Sequence, residues 1–188
     1  MLEKATAVDG VTGEKGLAGY SAFTLQGLAG FLGQLVRVEP GILQQLLSQH
    51  PGLRKTYRFH IDTWCMGQYY PQTGDTGGFA VPSPRYVGIT LRTDAGIEPS
   101  GFDLLVHLTR ITGDPAFAQV AYIENGRTVK GLPHDLFCAD PSAVEREVAA
   151  VVRRHGATIT LPSVNKEQWH IAILRSGKGA EARAAWLD

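Results

Sequence analysis

The sequence predicts a mainly α-helical fold followed by the opening strands of an antiparallel β-sheet. Three observations carry that prediction. Apolar residues recur at helical spacing through much of the chain up to His155, Pro and Gly pairs interrupt them at short intervals, and after Gly156 the period changes from helical to alternating. With 188 residues, 44% of them hydrophobic and 19% charged, the chain has enough apolar surface for one core and lacks the composition of a disordered polymer.

The first long helix is predicted over Leu17 to Val36, with Leu17, Tyr20, Leu28, Phe31, Leu35 and Val36 on one apolar face. Gly27, Gly30 and Gly33 in its interior each cost about 1 kcal/mol relative to Ala, which is tolerable where another helix packs closely. Glu39-Pro40 stops it, and Pro40 suits the first turn of a second helix that turns Ile42, Leu43, Leu46 and Leu47 inward. Pro51-Gly52 punctuates again before a third helix with the stripe Leu53, Tyr57, Ile61 and Trp64. Hairpins of this kind occur in bundles, solenoids and α/α toroids, and periodicity does not choose among them.

From Gly67 to Ser100 no period persists, and a stretch this long is either functional or disordered. Its aromatic residues between Tyr69 and Tyr86 favour an ordered, functional segment. Helical pattern resumes over Phe102 to Ile111, and Gly113-Asp114-Pro115 ends it and caps a helix over Ala116 to Ile123. Glu124 to Ala139 reads as irregular. Asp140-Pro141 then opens a helix over Ser142 to Arg154, with Val144, Val148, Val151 and Val152 on its buried side and Gly156 as its C-terminal cap. Strands are expected at Thr158–Leu161, Trp169–Arg175 and Ala182–Leu187, the last two joined by a turn at Ser176–Gly179. So short a sheet has an open edge and an unfilled face. The expected organisation is therefore a helical unit over residues 1–156 and the start of a sheet domain over 157–188, with the chain cut from a longer protein at Asp188.

Lys plus Arg number 18, as do Asp plus Glu, so no net field draws the chain to nucleic acid or to an anionic membrane. No apolar run approaches the roughly 20 residues that span a bilayer, and Met1 to Gly10 has no signal-peptide pattern. Cys65 and Cys138 belong to no CxxC pair and read as free thiols. His107, His134 and His155 show no metal-ligand spacing.

Three segments together resemble the heparinase II/III-like family of polysaccharide lyases and its alginate-lyase relatives. They are Asp9-Gly10-Val11 with Glu14 and Gly19-Tyr20-Ser21; Pro71-Gln72-Thr73-Gly74-Asp75; and Ile173-Leu174-Arg175-Ser176-Gly177 with Ala184-Ala185-Trp186-Leu187-Asp188. Ser21 departs from the pattern, standing where the family commonly has histidine. The resemblance implies an incomplete α/α toroid followed by the first strands of a truncated β-sandwich. It also implies a parent enzyme, periplasmic or secreted, that cleaves an acidic polysaccharide. No cofactor is expected within this chain; any zinc or other divalent metal of the parent would be held by residues beyond Asp188. The chain alone is expected to be inactive.

Such lyases act by β-elimination, which needs a base for the C5 proton beside the uronate carboxylate, an acid for the leaving oxygen, and a group that neutralises the carboxylate. The resemblance makes Tyr20 the candidate for both proton transfers, since it opens a helix whose positive end favours a phenolate. The residues alone equally allow Tyr20 as a core side chain. Glu14, His60, Trp64, Tyr69, Tyr70 and Asp75 are the candidate substrate-binding residues, with Trp64, Tyr69 and Tyr70 as a stacking platform for sugar rings. For His60 a buried, hydrogen-bonded histidine is the competing reading, for Trp64 core packing, and for Asp75 an Asx turn. Arg58 and Arg85 are the nearby cations able to meet a carboxylate. Two other functions remain: an inverting glycoside hydrolase with Glu14 and Asp75 as its carboxylate pair, or a helical interaction module without chemistry.

Overall fold

The computed structural model describes residues 2–13, 16–74, 84–89 and 99–188. Among these the chain forms seven α-helices and a three-stranded antiparallel sheet. The helices are α1 (Leu2–Ala5), α2 (Ser21–Val38), α3 (Ile42–Gln49), α4 (Leu53–Asp62), α5 (Pro99–Thr112), α6 (Pro115–Glu124) and α7 (Pro141–His155). The strands are β1 (Val164–Lys166), β2 (Ile171–Ser176) and β3 (Arg183–Leu187), in the order β1-β2-β3. A five-residue π turn, Gly16–Tyr20, leads into α2.

Local signals set the helix boundaries. The Asp114 carboxylate accepts from the Ala116 N–H at 3.0 Å and the Asp140 carboxylate from the Ala143 N–H at 2.9 Å, each ahead of a first-turn proline. Gly156 closes α7, its N–H on the Val152 carbonyl at 2.8 Å. The helices pack as a row: α2 on α5, α5 on α6 and α6 on α7, with α3 and α4 beside α2. Gly33 is where α2 and α5 touch, since a β-carbon there would fall 2.3 Å from the Ser100 carbonyl oxygen. Gly27 and Gly30 meet nothing within 4 Å, so the close packing expected around all three glycines holds at one.

The buried face of α2 differs from the expected one. Leu25, Ala29, Leu32 and Val36 point into the core, whereas Tyr20, Phe23 and Phe31 are exposed and Leu28 and Leu35 half-buried. The small residues Ala22, Ala29 and Gly33 line the side that approaches the other helices, because short side chains let backbones come close.

The sheet is a meander whose register pairs Val164 with Ile173, Lys166 with Ile171, and Ile173 with Trp186. Ile171 and Ile173 are fully buried in the same core as the helices, and Leu174 and Leu187 face outward. Thr158–Leu161, expected as a strand, is irregular. The Gln119 side-chain amide donates to the His155, Gly156 and Thr158 carbonyls, which takes one acceptor from this stretch, and Pro162 after it has no N–H to give a ladder.

Two polar latches tie the sheet to the helices. Asp9, with a left-handed φ of 53°, accepts from the Gln168 and Trp169 N–H groups at 2.8 and 3.1 Å. Gly10 beside it has φ 96°, and a β-carbon there would lie 2.6 Å from Lys55 Cβ, so only glycine fits against α4. At the second latch Lys166 Nζ meets the Asp62 carboxylate at 2.8 Å, and the Arg175 guanidinium donates to the Asp62 carbonyl and, at 2.6 Å, to the Pro162 carbonyl.

Candidate functional site at the entry to the first long helix

Three of the segments singled out in the sequence converge on the backbone of one residue. In the π turn, Leu17 is fully buried and its N–H donates to the Thr73 carbonyl at 3.2 Å. Its carbonyl lies 2.7 Å from His60 Nε2 and accepts from the Ser21 hydroxyl at 2.8 Å. The segment leading to Tyr20, helix α4 with His60, and the Pro71–Gly74 strip therefore meet at Leu17. The π turn is bent at Gly19, which takes the non-helical pair φ −105°, ψ −110°. Tyr20, the last residue of the turn, is more than half exposed.

Tyr20 thus sits in solvent at the helix entry and is not a core side chain. Tyr20 holds the N-cap position of α2 with helical φ −61° and ψ −36° and makes no side-chain cap hydrogen bond.

His60 is fully buried, and burial pushes its imidazole down to about 4, with Lys166 lowering it further and the Leu17 contact opposing. The ring is therefore neutral near pH 7. A carbonyl only accepts, so Nε2 carries the proton and donates to Leu17, which leaves the buried Nδ1 without a partner. His60 does not reach the surface; it holds the turn that carries Tyr20.

The stacking platform expected from Trp64, Tyr69 and Tyr70 turns inward. Trp64 and Tyr70 are buried, and their rings stack on each other at 6.2 Å with an interplanar angle of 3°. Tyr70 also meets His60 edge-on at 6.1 Å, and Tyr69 is half-buried against the same core. Burial raises the Tyr70 and Tyr86 phenols well above their usual value, so both are neutral at all ordinary pH; the Tyr86 hydroxyl donates to the Tyr57 carbonyl at 2.6 Å. The exposed aromatic residues of this region are Tyr20 and Phe23 instead.

The candidate cations are engaged. Arg58 forms ion pairs with Asp62, at 2.7 Å, and with Asp114, and Arg85 pairs at 2.6 Å with Glu124. The Glu124 carboxylate is almost wholly buried and also accepts from the Tyr86 N–H at 2.7 Å. Burial raises its pKa, while Tyr86 and Arg85 pull it back. Glu14 and Asp75 lie outside the described residues. Among the described residues no group of three or more His, Cys, Asp or Glu side chains is placed to hold a metal ion.

The sequence did not reveal Leu17 as the hub. Only its Ser21 contact, one turn along the helix, follows a local rule; the His60 and Thr73 contacts join residues far apart in the chain and leave no mark in periodicity. No family model, no curated protein and no solved structure matches the chain.

Proposed function

We propose that the chain is the tyrosine-bearing part of an enzyme that cleaves uronic-acid polysaccharides by β-elimination, built in full as an α/α toroid followed by a β-sandwich. The observation that supports it best is Tyr20, exposed at the entry to α2 on a turn pinned from both sides at Leu17. In this reading the Tyr20 phenolate removes the C5 proton of a bound uronate. Electrons from the C5–H bond form the C4–C5 double bond, the C4–O bond breaks, and the Tyr20 proton passes to the departing glycosidic oxygen. His60 and Thr73 hold the backbone in place and are positioning residues. Arg58 and Arg85 are committed to carboxylates, so neither is assigned to the uronate. The partner is an acidic polysaccharide.

The test is the whole protein carrying this chain, incubated with alginate, heparan sulfate and related uronates while ultraviolet absorbance of the unsaturated product is followed. Absorbance should rise, and Tyr20→Phe should reduce kcat by about 100- to 10,000-fold, the range for loss of a general acid–base group. Release of reducing ends without the absorbance would reject the lyase in favour of a hydrolase. A second reading, a helical interaction module without chemistry, draws on the exposed apolar face of α2.

A further inference from the structure

Helix α2 carries an apolar face that stays exposed among the described residues. At 100° per residue, Tyr20, Phe23, Gly27, Phe31, Gln34 and Val38 fall within an arc of about 80°. Tyr20 is 56% exposed, Phe23 67%, Phe31 61% and Val38 82%. The face carries no formal charge, because Arg37 lies off it and pairs with Asp135 at 2.9 Å. At the other end of the helix row, α7 shows no exposed large hydrophobic residue and turns Arg146, Arg153 and Arg154 to solvent. One end of the row is finished as a surface and the other is built like an interior.

We infer that α2 pairs with α2 of a second copy of this chain, antiparallel about a two-fold axis at Gly27. Three features favour a copy over a different partner. Phe23 and Phe31 stand four residues either side of Gly27, so an antiparallel partner sets each Phe23 against the other copy's Phe31. That arrangement is the self-complementarity a two-fold interface requires. Gly27 and Gly30 leave the space above the helix open to a second backbone. An uncharged face also meets itself without repulsion.

Area supports the same conclusion. An aromatic side chain contributes about 200 Å², so the exposed parts of Tyr20, Phe23 and Phe31 with Gly27 and Gln34 supply about 450 Å² per copy. Two copies bury about 900 Å², the size of a weak, transient interface. The dimer is therefore weak and concentration-dependent. Tyr20 lies about 10 Å along the axis from Gly27, at the rim of the contact, and the inference does not depend on the lyase reading.

Sedimentation velocity on the 188-residue chain tests this. The expected result is a monomer at about 1 μM passing to a dimer by about 200 μM, with a midpoint in the micromolar range. Phe31→Glu should raise that midpoint at least tenfold. The double variant F23K/F31E should restore it, because its opposite charges face each other only in the antiparallel register. A second probe is independent of those variants' folding: in a Cys138→Ser background, Gly27→Cys should cross-link to itself under mild oxidation at least tenfold faster than Val38→Cys. A monomer at every concentration, a dimer indifferent to F31E, no restoration by F23K/F31E, or equal cross-linking at the two positions would each overturn the proposal.

Discussion

Acidification from about pH 8 to about pH 5 should destabilise this protein through one buried ring. In the unfolded chain His60 takes up a proton near 6.5, whereas in the folded chain burial holds it back to about 4. Between those values the unfolded state binds more protons, so stability is fully present above about 6.5 and falls as pH drops through the window. Each pH unit within it is worth about 1.4 kcal/mol, which gives a loss of about 2 kcal/mol at pH 5. His107 is lowered too, by burial, and adds to the loss in the same direction. The assay is urea unfolding at several pH values for the native protein and for His60→Gln, whose amide can still donate to Leu17 but does not titrate. The native protein should lose about 2 kcal/mol more than the variant over this range. Equal losses would mean that His60 is not held neutral by burial, and the pinned turn beneath Tyr20 would lose its explanation.

The glycines of α2 should answer oppositely to alanine. Gly27→Ala, with nothing within 4 Å of the added carbon, should stabilise by about 1 kcal/mol. Gly33→Ala, aimed at the Ser100 carbonyl, should destabilise by about 1–3 kcal/mol despite the same gain in helix propensity. Denaturant midpoints at low protein concentration read both, and equal signs would contradict the packing of α2 on α5. Trp64→Ala should cost about 3–5 kcal/mol as a core deletion. A variant that kept native stability in a thermal melt while losing glycan affinity would place Trp64 at the surface after all.

What the sequence shows and what it hides divide along physical range. The caps at Asp114 and Asp140 and the stop at Gly156 are local chemistry between neighbours, and they appear in the structure where the sequence predicts them. The inward face of α2 is not local. Apolar residues occur almost all round that helix, so period alone cannot select Leu25 and Leu32 over Phe31; the choice rests on Ala22, Ala29 and Gly33 admitting other helices. Thr158–Leu161 has strand-like alternation, but Gln119, some forty residues earlier, takes its first carbonyl. Trp64 and Tyr70 present the same uncertainty for the site. An aromatic residue after a helix end fits a sugar platform or a core equally well until its partner ring is placed.

The Asp9 latch has a consequence for how the chain is made. Its partners, the Gln168 and Trp169 amides, lie 159 and 160 residues away, among the most distant contacts a chain of this length can form. At about 5–20 residues per second of synthesis, the first turn waits on the order of ten seconds before its partners exist. The helix row can assemble during that interval, because α5, α6 and α7 follow one another closely in sequence. The closing step joins Asp9 to Gln168 and Trp169. Amide exchange during refolding should therefore protect α6 before Trp169, and trimming the chain before Gly10, which removes α1, should leave α2 to α7 intact while loosening the sheet.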